Sequence, residues 1–168
     1  INNASMILRK NNIKTAQLDS EILMSLIMNK SRKSVLLNLD SCLEDNKLNN
    51  FRKLIKLRST GKPIAYLTGS KNFWKHNFKI DNNVLVPRPD TEIIVEEGLK
   101  VIRNKNKLHI LDIGIGSGCI LLSILSEKKN FKGVGVDVSK KSIDLCKINA
   151  VNLDLKKRVK LFKSDVDN

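Results

Sequence analysis

Leu108-His109-Ile110-Leu111-Asp112-Ile113-Gly114-Ile115-Gly116-Ser117-Gly118 is the stretch on which the fold of this chain turns. Leu108 to Ile113 is an apolar run of strand length, and the glycines after it stop the strand abruptly. Cys119 to Glu127 then reads as a helix, Gly133 to Val138 as a β-rich run, Ser139 to Val151 as a second helix and Val159 to Phe162 as a third strand. A β-α-β-α-β order implies right-handed crossovers and a parallel sheet, whose ligand site lies at the carboxyl ends of the strands. Glycines at such an end let a nucleotide-like ligand lie against bare backbone, and the following helix offers unpaired N–H groups.

Asp137 follows Gly118 by 19 residues, at the end of the second strand. A carboxylate there accepts hydrogen bonds from both hydroxyls of a ribose, so an adenosine-type cofactor is expected. Dehydrogenases use a related loop, GxGxxG or GxGxxA, but here the spacing is GxGxG and the sixth position is Cys119. Asp112 stands two residues before the first glycine, where a carboxylate helps hold a cationic amino group and repels a pyrophosphate. S-adenosylmethionine is therefore favoured over NAD.

Upstream of this unit the pattern changes twice. Thr15 to Ser59 has helical periodicity: Leu18, Ile22 and Leu26, with Leu23 and Ile27, form a stripe behind a Thr15 cap, and Asn29 to Arg32 breaks that helix. Val35, Leu36, Leu37 and Leu39 precede Asp40 and Ser41, expected to cap a helix with Leu48, Phe51, Leu54, Ile55 and Arg58 on one face. After Gly61 come two short strands, Asn72 to Trp74 and Asn77 to Ile80, and an extended Val84 to Pro89 whose prolines fix the backbone. Asp90 or Thr91 is expected to cap a helix running to about Arg103. The expected organisation is a helical recognition domain over 1–68, a hairpin linker over 69–86 and the first half of a Rossmann-like α/β sheet over 87–168.

Composition narrows the function classes. The 168 residues are 41% hydrophobic and 29% charged, which excludes collagen, mucin-like stalks and wholesale disorder. No apolar stretch approaches the ~20 residues of a membrane span, and Cys42, Cys119 and Cys146 form neither a disulfide framework nor a zinc knuckle. A cytoplasmic protein away from membranes is expected. The net charge is +14, concentrated in residues 1–80, with 15 Lys and Arg against 5 Asp and Glu. That half suggests an anionic partner such as nucleic acid, a ribonucleoprotein or an acidic protein, although 24 Lys against 7 Arg, with 19 Asn, equally fits codon composition.

Gly61-Lys62-Pro63-Ile64-Ala65-Tyr66-Leu67-Thr68-Gly69, then Phe73-Trp74, then Val86-Pro87-Arg88-Pro89-Asp90-Thr91-Glu92, then the glycine loop, resembles the HemK/PrmC family of peptide-chain release factor glutamine methyltransferases. The resemblance extends over the N-terminal Leu18-Asp19-Ser20-Glu21-Ile22-Leu23 helix, hence over essentially the whole chain. It implies methyl transfer from S-adenosylmethionine to the glutamine amide in the Gly-Gly-Gln loop of release factors. It further implies that Gly114, Ile115, Gly116, Ser117 and Gly118 hold the methionine part of the cofactor, beside the Asp112 read above as a cofactor-binding carboxylate, that Asp137 holds its ribose, and that Asp165 and Val166 flank the adenine. An aromatic residue commonly stands where this chain has Val166.

One departure from that pattern is large. The family orients its glutamine with an Asn-Pro-Pro-Tyr motif after a fourth strand, whereas the only prolines here are Pro63, Pro87 and Pro89. No catalytic residue is therefore assigned. The chain reads as a piece of a methyltransferase, expected to be inactive by itself and to leave apolar sheet surface open. Arg88 is a substrate-side candidate, with an exposed turn arginine as the plainer reading. His76 and His109 lack partners at metal spacing, Phe73 and Trp74 read as packing between bundle and sheet, and Cys119 lacks a base that would make it a nucleophile. Rival readings are a methyltransferase for another protein or for nucleic acid, and a non-catalytic nucleotide-binding module.

Overall fold

Among the described residues five helices, α1 (Asn2–Lys10), α2 (Ala16–Met28), α3 (Arg32–Leu37), α4 (Asp45–Ser59) and α5 (Ile64–Thr68), build the first of two units, Ile1–Thr68. The computed structural model describes residues 1–38 and 42–165. Ala4, Leu8, Ala16, Leu23, Met24, Val35, Phe51 and Ile55 form the core of this unit.

The buried face of α2 is not the expected leucine stripe. Leu23 and Met24 turn inward together with Asp19, Ser20 and Glu21, while Leu18 and Leu26 are 40% and 43% exposed. The cause is a charge pair: Arg58 Nε donates to Asp19 Oδ2 at 2.8 Å, and Arg58 Nη1 donates to Lys62 O at 3.1 Å. An ionised carboxylate goes inside only when paired, so α2 rotates to present Asp19 to α4. Thr15 does not cap the helix; its hydroxyl donates to Asp19 Oδ2 at 2.7 Å. Asn29, left-handed at φ 49°, ends α2, and the Ser31 hydroxyl caps α3 by accepting from Ser34 N. Helix α4 begins at Asp45 behind Glu44; Leu39, Asp40 and Ser41 lie outside the described residues.

In the second unit, from Gly69 onward, β1 (Ser70–Phe73) and β2 (His76–Lys79) form an antiparallel hairpin. Phe73 and Phe78, both fully buried, meet edge to face at 6.2 Å. Trp74 is engaged inside this unit: its backbone N–H donates to Glu92 and its indole N–H to Glu127, each at 2.8 Å. Lys75 pairs with the same Glu127 oxygen, and His76 Nε2 lies 2.8 Å from Ser126 Oγ. The contacts with Glu127 and Ser126 fasten the hairpin to α7 (Cys119–Glu127). A 3-10 turn, Pro89–Thr91, leads into α6 (Glu92–Val101), which neither Asp90 nor Thr91 caps by a side-chain hydrogen bond and which stops short of Arg103.

The strands β3 (His109–Ile113), β4 (Lys132–Asp137) and β5 (Val159–Lys163) are parallel and lie in the order β3-β4-β5. Helices α7 and α8 (Lys140–Asn152) make the two crossovers. Right-handed crossovers between sequential neighbours put both helices on one face. That face is the row of Ile110, Gly133 and Val159 and the row of Asp112, Gly135 and Leu161. A Cβ on Gly133 would stand 2.8 Å from Leu121, so that glycine lets α7 sit directly on the central strand. The opposite face carries Leu111, Ile113 and Phe162, which are 59%, 59% and 52% exposed. The α/β class and the parallel sheet agree with the expectation from sequence.

Breaking the inner charge pair should be far more costly than breaking an outer one. Arg58→Ala leaves Asp19 buried without its partner and should lower stability by about 3 kcal/mol. Lys47→Ala, which removes an exposed pair with Glu44, should cost about 0.5 kcal/mol or less. Urea unfolding followed by helical circular dichroism measures both.

Candidate functional site

The glycine loop is stitched to the ends of the other strands. Gly114 N and Ile115 N both donate to Val136 O, at 2.9 and 3.0 Å. Gly116 N donates to Asp137 Oδ2 at 3.0 Å, and Ser139 N donates to Asp137 Oδ1 at 2.8 Å. Ser164 N, just beyond β5, donates to Asp137 O at 3.1 Å. The carboxyl ends of β3, β4 and β5 thus converge on one residue.

The three loop glycines have positive φ, 75° at Gly114, 54° at Gly116 and 81° at Gly118, but they serve different ends. A Cβ added to Gly114 would meet nothing within 4 Å, and one on Gly116 only the Gly114 carbonyl at 3.9 Å. Bare backbone there borders open space, a cradle that a ligand can approach closely. Gly118 faces the core instead, where a Cβ would stand 2.6 Å from Cys146 Sγ and 2.9 Å from Leu122 Cδ1.

Two carboxylates give the site its charge. Burial pushes the Asp112 pKa up; a backbone hydrogen bond at Leu121, in the first turn of α7, opposes the shift, and the nearby Asp137 charge adds to it. Among the described residues neither Asp112 nor Asp137 forms an ion pair. A site with two carboxylates and no counter-cation suits a ligand that brings a positive charge and hydroxyl groups, and it repels a pyrophosphate. Burial also raises the Cys119 thiol, and it pushes Cys146 up to about 12. Neither thiol is a ready nucleophile.

The remaining sequence candidates fall in different places. The Ile115 side chain is 5% exposed and packs over Gly135, so only its backbone borders the loop. Ser117 is buried, 3% exposed. Ser164 brings Asp165 to the same strand-end cluster, and Val166 lies outside the described residues. Arg88 is exposed and its side chain has no hydrogen-bond or ion-pair partner among the described residues. His109 is exposed at the start of β3, far along the strand from the loop. The described residues contain no His, Cys, Asp and Glu group suited to a metal ion.

Asn149 escaped the sequence reading. It is 1% exposed on α8, and its amide reaches Lys79 N, Lys79 O and Ser117 O. The available signal was an amide at the same helical face as Ile143, Cys146 and Ala150. Periodicity alone does not say what such an amide binds.

The two classes of glycine separate by measurement. Gly118→Ala carries about 1–2 kcal/mol for its positive φ and a further ~1–3 kcal/mol for overpacking against Cys146 and Leu122. Gly116→Ala carries only the backbone part, so thermal unfolding should rank Gly118→Ala clearly below Gly116→Ala.

Comparison with known proteins places this geometry. Residues 1–69 match the family described as PrmC N-terminal domain, and residues 92–168 match the methyltransferase small domain. A release factor glutamine methyltransferase of Buchnera aphidicola subsp. Baizongia pistaciae is 38% identical over 153 residues, covering 91% of this chain and 55% of that protein. A bifunctional methyltransferase of Rickettsia conorii is 33% identical over 182 residues, covering 94% of this chain and 35% of that protein. A solved S-adenosylhomocysteine-bound methyltransferase of Geobacter sulfurreducens is 24% identical with a TM-score of 0.39, covering 46% of this chain and 30% of its own. The chain spans about half the length of the Buchnera relative and about a third of the Rickettsia one. Residues 1–69 thus carry the PrmC N-terminal domain and residues 92–168 the methyltransferase small domain, which makes this chain similar to the release factor glutamine methyltransferases over most of its own length.

Proposed function

We propose that this chain belongs to an S-adenosylmethionine-dependent enzyme that methylates the glutamine side-chain amide in the Gly-Gly-Gln loop of peptide chain release factors. The observation that carries the cofactor reading is the open cradle at Gly114 and Gly116, bordered by Asp112 and Asp137 without counter-cations. The observation that carries the substrate reading is the PrmC N-terminal domain over residues 1–69, together with relatives bearing that activity in their names.

In this reading the cofactor supplies an electrophilic sulfonium methyl group, and the chain supplies its binding surface. The backbone of Gly114, Ile115, Gly116, Ser117 and Gly118 lies along its methionine part, with Asp112 opposite the ammonium. Asp137 keeps capacity for ribose: an ionised carboxylate accepts about four hydrogen bonds, and among the described residues two are taken, by Gly116 N and Ser139 N. Asp165 borders the adenine. Residues 1–68 act as the recognition domain, 69–86 as the hairpin that joins it to the catalytic part, and Arg88 faces the substrate. An amide nitrogen is a weak nucleophile, so rate must come chiefly from orientation of the glutamine. The excess of 15 cations over 5 anions in residues 1–80 supports approach to an acidic factor or to the ribosome, in the cytoplasm.

Two measurements test the reading. Calorimetric titration should show Asp137→Ala weakening S-adenosylmethionine by about 1–3 kcal/mol, and tighter binding of NAD would overturn the assignment. The second is a pH profile. Because burial raises the Asp112 pKa, its carboxyl holds a proton above the ordinary carboxylate range, and its favourable share of stability is lost as pH rises through that raised value. A cationic ligand favours the ionised form, so affinity should climb as pH rises through the same value and then level off. Asp112→Asn should flatten this climb. Transfer of labelled methyl to the release-factor glutamine by the enzyme containing this chain tests the substrate, and labelling of another protein or of nucleic acid instead would favour the rival reading.

A further inference from the structure

The Asn149 side chain is wholly enclosed and uses every polar atom it has. Its Oδ1 accepts from Lys79 N at 2.7 Å, and its Nδ2 donates to Lys79 O at 3.1 Å and to Ser117 O at 2.8 Å. The pair of bonds to Lys79 imitates one rung of a β ladder on the main chain of β2. The third bond enters the glycine loop between Gly116 and Gly118. There the Ser117–Gly118 peptide is held at both ends, its carbonyl by Asn149 and its N–H by Ile115 O at 2.8 Å.

This anchoring has a geometric consequence. Gly116 and Gly118 flank the anchored peptide, and both sit at positive φ. A loop of glycines has more freedom to lose than any other sequence, so a ligand that must order it binds weakly. With the Ser117 carbonyl held inward, the loop is ordered beforehand and the bare backbone of Gly114 and Gly116 is left towards the open side. The same amide ties that order to the hairpin, 70 residues away in sequence from Asn149.

We infer that Asn149 is a positioning residue for the cofactor loop: through its bonds to Ser117 O and to the Lys79 main chain, it makes the glycine loop and the β1–β2 hairpin one rigid element. The inference rests on the cofactor reading of the glycine loop for its effect on affinity, and on geometry alone for the coupling. Asn149 is 1% exposed and acts through the main chain it holds.

The test compares Asn149→Ala with Ile143→Ala, a buried α8 substitution that removes packing and none of these bonds. In Asn149→Ala, calorimetry should show S-adenosylhomocysteine bound about tenfold more weakly, and in Ile143→Ala affinity should stay within about twofold. Amide hydrogen exchange followed by NMR, without any ligand, should accelerate at Lys79 and Gly118 together in Asn149→Ala and at neither selectively in Ile143→Ala. Should Asn149→Ala not fold, Asn149→Asp keeps the shape and the acceptor for Lys79 N but lacks both donors, so the loss of affinity and the acceleration at Gly118 are expected of it while the Lys79 N–H stays protected. Equal loss of affinity in the Asn149 and Ile143 variants, or acceleration at Lys79 without Gly118, overturns the inference. Absence of S-adenosylhomocysteine binding by the unaltered protein would instead count against the cofactor reading, and the exchange measurement would still decide the coupling.

Discussion

Asp137 stands at the carboxyl end of the central strand, and the loops around it depend on what it accepts. Its two carboxylate oxygens take N–H groups from Gly116 and Ser139, and its carbonyl takes one from Ser164. In a parallel sheet the strand ends on that side have no ladder partner, so each following loop must find another acceptor for its first N–H groups. One acidic residue on β4, with Val136 O before it, meets that need for the glycine loop, for the start of α8 and for the exit of β5. The charge collected there is what the proposed cationic, hydroxyl-bearing cofactor would meet.

The glycines divide between making room for the protein and making room for something else. Gly118, Gly133 and Gly135 would each place a Cβ under 3 Å from a neighbouring side chain, so they allow α7, α8 and Ile115 to close on the sheet. Gly114 and Gly116 have no such neighbour within 3.8 Å, and packing does not account for them. The second group is the one that points to a ligand.

In the helical unit a buried charge pair decides which side of α2 turns inward. Asp19 and Arg58 are separated by 39 residues, and each would be expensive inside without the other. Their pairing displaces Leu18 and Leu26 towards solvent, against the hydrophobic pattern of the helix. Glu127 acts similarly in the second unit, where Lys75 and the Trp74 indole hold its carboxyl below the usual range and join the hairpin turn to the end of α7.

Local sequence determined much of this protein. Alternating apolar runs and glycine stops made β3, α7, β4, α8 and β5 legible to within a residue or two, because each is set by short-range periodicity and backbone freedom. The spacing of Asp112, the glycines and Asp137 likewise located the strand-end cluster, since parallel topology brings successive carboxyl ends together. Only the tertiary structure decided which face of α2 is buried, which glycines border open space, and what Asn149 holds. Those outcomes depend on partners 39, 32 and 70 residues away, and periodicity along one helix carries no information about a partner on another.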